Sequence, residues 1–177
     1  ILNNVIIGSN TLSNTSSVGQ NNIVIGSNSL TANTLIEGDS IVIGSGIVVD
    51  SISSYSVIIG NSITSSLFTP YYSVYLGHAA GVSCTSAATS TGDNVCIGAG
   101  AGAFASTNTE GLIAIGRNAV AGSNSIIIGR SAGNATTAPT GTNNIILGTS
   151  AATNLTTGSN NIIIGASLSA QTATGSN

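Results

Sequence analysis

Three apolar residues followed by a glycine recur ten times along the chain. The triplets are Val5-Ile6-Ile7, Ile23-Val24-Ile25, Ile41-Val42-Ile43, Val57-Ile58-Ile59, Val74-Tyr75-Leu76, Val95-Cys96-Ile97, Ile113-Ala114-Ile115, Ile126-Ile127-Ile128, Ile145-Ile146-Leu147 and Ile162-Ile163-Ile164. The glycines that close them are Gly8, Gly26, Gly44, Gly60, Gly77, Gly98, Gly116, Gly129, Gly148 and Gly165, spaced 18, 18, 16, 17, 21, 18, 13, 19 and 17 residues apart. Four residues before the glycine stands Asn or Ser in nine of the ten copies, with Leu112 as the exception. One residue earlier, Asn or Asp occurs in seven, at Asn3, Asn21, Asp39, Asp93, Asn124, Asn143 and Asn160. Three residues after the glycine the chain places Thr11, Ser29, Ile47, Ile63, Ala80, Ala101, Ala119, Ala132, Ala151 and Leu168.

Each triplet is β-branched or otherwise apolar and is bounded by turn formers, which predicts a short strand. The following glycine admits a positive φ or a close backbone approach at a corner. The preceding Asn and Asp make side-chain-to-backbone turns, and stacked copies can form ladders. No segment sustains a 3.6-residue period, so no helix is expected. A coil of about 17 residues buries nothing by itself; stacking coils in register buries a continuous column. The pattern predicts an all-β chain, a parallel β-solenoid (β-roll) of about ten coils forming one repeat array over residues 1–177. At about 4.8 Å per parallel strand the rod is roughly 45–50 Å long. Mostly small residues three after the glycine, facing inward opposite the strand, imply a thin roll.

Within a strand, the first and third residues face one side and the second faces the other. The outer pair is Val, Ile or Leu in all twenty cases and is expected to fill the roll. The middle residues are then expected to face outward: Ile6, Val24, Val42, Ile58, Tyr75, Cys96, Ala114, Ile127, Ile146 and Ile163. All are nonpolar or Tyr, and such a stripe exceeds what a monomer leaves uncovered. These ten are therefore the expected subunit interface, with identical chains as the cover.

Composition narrows the function. Of 177 residues only 4% are charged, against roughly 25% in an average soluble domain. Arg117 and Arg130 are the only Lys or Arg, which excludes nucleic acid as a partner because counterion release needs several cations on one surface. With one His, at position 78, and two Cys, no nucleophile–base–orienter set can be assembled, and no catalytic activity, metal or cofactor is expected. Apolar runs are broken by Gly, Asn or Ser well short of the ~20 residues that cross a bilayer, so no direct membrane insertion is expected. The chain starts on a repeat's own entry and stops at residues that elsewhere lead into a strand. It is expected to be a segment of a longer array.

The stretch "LIAIGRNAVAGSNSIIIGRSAG" (112–133) resembles the head repeats of trimeric autotransporter adhesins, whose coils follow a pattern like N-S-V-A-I-G-x-x-A-x-A. The segment "TGTNNIILGTSAATNLTTGSNNIIIG" (140–165) is similar to the longer repeats of phage tail fibres and large-DNA-virus surface glycoproteins. The resemblance implies a left-handed β-roll, three chains to a trimer, and an extracellular place on a virion or cell surface. It also implies attachment to a host receptor or glycan. The loops are longer than in the adhesin heads and no coiled-coil stalk or anchor is present in the sequence. A virion fibre or spike-type component is therefore the leading reading, a bacterial adhesin head binding matrix or glycans the alternative, and an ice-binding solenoid a remote third.

Few residues suggest a site. Tyr55, Phe68, Tyr71 and Tyr72 cluster in the fourth and fifth repeats and are the candidate ligand surface, since aromatic rings stack on sugars; a packing irregularity around Pro70 is the competing explanation. "GAGAGA" (98–103) lacks the Lys of a phosphate loop. Glu37 and Asp39 are too few for a Ca²⁺ site. Cys84 and Cys96 read as two small hydrophobes, with a disulfide as the alternative. Asn14, Asn134 and Asn154 begin N-x-S/T sequons, expected by chance in a chain this rich in Asn and Thr.

Overall fold

A computed structural model describes residues 3–13, 17–31, 35–49, 51–52, 54–65, 72–82, 92–103, 109–120, 122–134 and 141–168, with the side chains of residues 17, 35, 36, 51, 64 and 65 not described. Every element among them is a strand. Ten strands, one per repeat, stack in a single parallel sheet in strict chain order: Val5–Ile7, Ile23–Ile25, Ile41–Ser45, Val57–Asn61, Val74–Leu76, Val95–Ile97, Ile113–Ile115, Ile126–Ile128, Ile145–Leu147 and Ile162–Ile164. The register never slips: first residue lies beside first, middle beside middle and third beside third. We number the coils 1 to 10 by these strands. The early coils carry further parallel strands on other sides of the roll. Ser17–Gln20, Leu35–Gly38 and Ser51–Ile52 form one sheet, and Val48–Val49 pairs with Thr64–Ser65. The chain is a parallel β-solenoid.

Left-handed backbone at fixed places turns each coil. The residue five before the glycine has φ between 46° and 65° in all ten copies, at Asn3, Asn21, Asp39, Tyr55, Tyr72, Asp93, Gly111, Asn124, Asn143 and Asn160. The residue two after the glycine repeats this, from Asn10 to Ser167, at 50–66°. Asn and Asp tolerate that region best after glycine, so their recurrence has a backbone cause. At the glycine itself the constraint is contact. A Cβ on Gly116 would lie 2.6 Å from the carbonyl oxygen of Gly129 in the next coil, and φ there is 127°. The coils approach one another as closely as peptide groups permit.

The core reverses the expected faces. Val24, Val42, Ile58, Tyr75, Cys96, Ala114, Ile127 and Ile146 are buried inside the chain's own roll, and Ile163 packs against them. Only Ile6, in coil 1, is as much as 38% exposed. The ten middle residues thus form the core column, and the assignment of that column to a subunit interface is overturned. None of the twenty outer residues is buried; they are half-buried or exposed along the whole sheet. Volume is the reason. The position three after the glycine does face inward, and in coils 5 to 9 it is Ala80, Ala101, Ala119, Ala132 and Ala151, all fully buried. A roll that thin has room for one strand residue per coil, and two Ile would overpack it. Where the middle residue is only Ala114, the neighbouring inward position is Leu112 in place of Asn or Ser. The glycine at 81 leaves space for the Tyr75 ring in the same way.

A buried polar ladder runs beside the apolar column, four residues before each glycine. Its side-chain oxygens accept the backbone N–H of the next rung: Asn22 N–H to Asn4 Oδ1 (2.7 Å), Ser40 to Asn22 (3.0 Å), Asn94 to Ser73 Oγ (3.1 Å), Leu112 to Asn94 Oδ1 (2.9 Å), Asn144 to Ser125 Oγ (3.0 Å) and Asn161 to Asn144 Oδ1 (3.0 Å). The buried Asn and Ser residues therefore satisfy buried donors, as an interior requires.

Candidate functional site

Function must reside on the outside of this rod, and two features stand out there. The first is the outer face of the ten-stranded sheet. Two parallel columns of Val, Ile and Leu run its full length with no charged residue between them. Exposure is greatest in the end coils, 57% at Ile7 and 68% at Ile162, but Ile59, Ile126, Ile128 and Ile145 in interior coils are also exposed. Sequence reasoning assigned these residues to the core. The feature that sets the inward side is the buried Asn or Ser four before the glycine, which shares its side with the middle residue of the triplet.

The second feature lies at the left-handed corner before the strand. Here short polar side chains ladder from coil to coil: Asn3 Nδ2 donates to Asn21 Oδ1 (3.3 Å), Asn21 to Asp39 Oδ1 (3.0 Å) and Asn143 to Asn160 Oδ1 (3.4 Å). In coils 4 and 5 the ladder changes chemistry. Tyr55 and Tyr72 occupy the corner, with φ of 65° and 46°, and their rings stack at 5.2 Å between centroids and 6° between planes. Both are more than half exposed. Bulky residues rarely adopt this backbone region, and an offset stack contributes roughly 0.5–1.5 kcal/mol against that strain. The neighbouring rungs are Asp39 and Asp93, so each end of the stack has a carboxylate one coil away. Of the four candidate ligand-surface residues the structure brings these two together; Phe68 and Tyr71 lie outside the described residues.

The remaining candidates are placed as follows. His78 is exposed, directly after Gly77, and its carbonyl accepts the Gly100 N–H at 2.9 Å. In "GAGAGA" the N–H groups of Gly98, Gly100 and Gly102 all bond to neighbouring coils, leaving no cradle for a phosphate. Asp39 is held by Asn21, and no group of three or more His, Cys, Asp or Glu gathers among the described residues. Cys96 is buried in the core column, while Cys84 lies outside the described residues. Of the sequons, Asn154 is exposed and Asn134 half-exposed; Asn14 falls outside the description. A crevice lined by Val120, Gly133, Asn144, Ile146 and Leu155 holds about 10 Å³, room for about one water. No helix among the described residues is long and apolar enough to cross a membrane. Comparison with protein-family models, with curated proteins and with solved structures gave no match.

Proposed function

We propose that this chain is a non-enzymatic fibre or spike-type module of a virion surface, extracellular, that assembles side by side with copies of itself and projects towards a host surface. The outer face of the ten-stranded sheet carries the reading. Ten strands at about 4.8 Å by three residues at about 3.3 Å give an apolar face of roughly 450 Å². That is the size of the largest patch on a typical monomer, and such a patch is often functional. It is also uniform, repeating at the coil spacing. A second copy with the same repeat matches it rung for rung, and three copies around one axis cover all the faces. Sedimentation velocity over a range of concentrations tests the proposal. The expected result is a trimer that dissociates when Ile126 and Ile145 are both replaced by Asp, with the β spectrum retained. A wild-type monomer at all concentrations, or a double variant that stays assembled, overturns it.

The Tyr55–Tyr72 stack favours a second reading, an adhesin head whose corner contacts a glycan. The exposed edges and outer faces of two stacked rings, with Asp39 and Asp93 adjacent, supply CH–π stacking and hydroxyl acceptors for a sugar. Glycan-array binding that is lost in Tyr55→Asn/Tyr72→Asn supports this reading; binding that survives the change removes it.

A further inference from the structure

The bases of this chain and three of its five acids are sorted to opposite edges of the apolar face. The residue directly after each glycine, exposed in nine of the ten coils, forms a column at the strand's exit edge, and it contains His78, Arg117 and Arg130, every base in the chain. Arg117 and Arg130 occupy consecutive rungs, coils 7 and 8, and the two closing glycines beside them are in contact. Three of the five acids lie at the entry edge; Glu37 is in a strand of the three-stranded sheet and Asp50 lies outside the described residues. Asp93 is the left-handed corner residue of coil 6, and Glu110 directly precedes the corner of coil 7. Asp39 is on the same edge in coil 3. None of Asp93, Glu110, Arg117 and Arg130 makes a side-chain ion pair within the chain, among the described residues. Entry and exit columns of one coil are six residues apart along the chain, up to about 20 Å of extended backbone.

Copies gathered around an axis parallel to the rod, faces inward, set the exit edge of each copy against the entry edge of the next. That follows from rotation alone, for two copies or three. Copies packed face to face with their rods antiparallel set exit against exit and entry against entry. Only the parallel arrangement brings unlike charges together. With coils level, Arg117 and Glu110 share coil 7, Asp93 is one coil to one side and Arg130 one coil to the other. A stagger of one coil, which sets Arg117 beside Asp93 and Arg130 beside Glu110, or of two, which sets Arg130 beside Asp93, keeps the set together; a slip of two coils the other way separates every pair.

We propose that Arg117 and Arg130 of one copy pair with Asp93 and Glu110 of the next, forming a charge lock that makes the assembly parallel and limits the stagger of neighbouring copies to between zero and two coils in one direction. The apolar columns repeat identically from coil to coil and carry no such information; complementary charge fixes orientation and register more than affinity. The inference rests on self-association through the sheet face, as proposed above.

Charge exchange tests it. The wild type, Arg117→Glu/Arg130→Glu, Asp93→Arg/Glu110→Arg and the fourfold variant carrying both exchanges are compared by sedimentation, with far-UV circular dichroism confirming the β fold. Each double exchange sets like charges together and is expected to weaken assembly by about tenfold or more, whereas the fourfold variant recovers the wild-type state. As a readout that needs no variant, assembly of the wild type should weaken as salt rises from about 0.05 M to about 0.5 M, because pairs at the rim are screened. If the wild type is multimeric and insensitive to salt, or if either double exchange leaves it intact or the fourfold variant fails to recover, the lock is wrong and the face still stands. A wild-type monomer sinks both.

Discussion

Asn94 is the rung on which the buried ladder can be dissected. Its Oδ1 accepts the backbone N–H of Leu112 at 2.9 Å, and its Nδ2 donates to the carbonyl of Thr109 at 2.9 Å. All three residues are buried. Replacement by Ala removes both bonds and strands the Leu112 N–H, since Leu112 has no other acceptor. An orphaned buried donor costs about 1–3 kcal/mol and the lost bond to Thr109 about 0.5–1.5 kcal/mol, a total of roughly 1.5–4.5 kcal/mol. Replacement by Ser should cost only the second part, because Ser oxygens serve as acceptors elsewhere in the same column, at Ser73 and Ser125. Urea unfolding followed by circular dichroism gives the two losses, and amide exchange at Leu112 reports the donor directly. The expected order is wild type, then Asn94→Ser, then Asn94→Ala, with fast exchange at Leu112 only in the last. An Ala variant within about 0.5 kcal/mol of wild type, or a Ser variant as damaged as Ala, would refute the ladder as a source of stability.

The parity of the strand faces is testable by truncation in one coil: Ile127→Ala should lose about 2–5 kcal/mol on denaturation, whereas Ile128→Ala at a dilution where copies separate should lose clearly less, and the reverse order would return the core to the outer pair. Gly116→Ala forces a Cβ against the Gly129 carbonyl at a φ of 127° and is expected to cost at least about 2 kcal/mol, read from the same denaturation curves; a neutral outcome contradicts the close approach of coils. Tyr55→Asn exchanges a strained corner residue for the type that fills most of that column. Loss of the stack and relief of backbone strain should nearly cancel, leaving Tm within a few degrees, so a loss above about 2 kcal/mol would show that the tyrosine pair is a structural necessity.

The repeat and the strands were legible because each coil restates them: one triplet, one glycine and one corner residue, ten times over. The parallel order follows, since a coil that returns to the same register has no other way to pair. Which side of the strand faces in was not legible from the triplets, because both sets are apolar and period-two reasoning needs contrast. The contrast lay outside the triplet. Asn22 and Asn144 share the inward side with Val24 and Ile146, and they look like surface residues until the stacked N–H donors that they satisfy are considered. Tyr55 and Tyr72 were legible as exposed aromatics, but their stacking depends on falling at the same rung position in successive coils. The sorting of charge is visible in the sequence only once positions are counted from each glycine.

The coil from Gly116 to Gly129 completes its circuit in 13 residues, yet the one from Gly77 to Gly98 takes 21 and re-enters the sheet at the same register. Everything that defines a rung is gathered near the glycine, from five residues before it to three after. Circuit length between rungs therefore varies without moving a neighbouring rung, so replication slippage there can add or delete residues. A lineage carrying such a chain can remodel what it displays laterally while its scaffold is inherited unchanged.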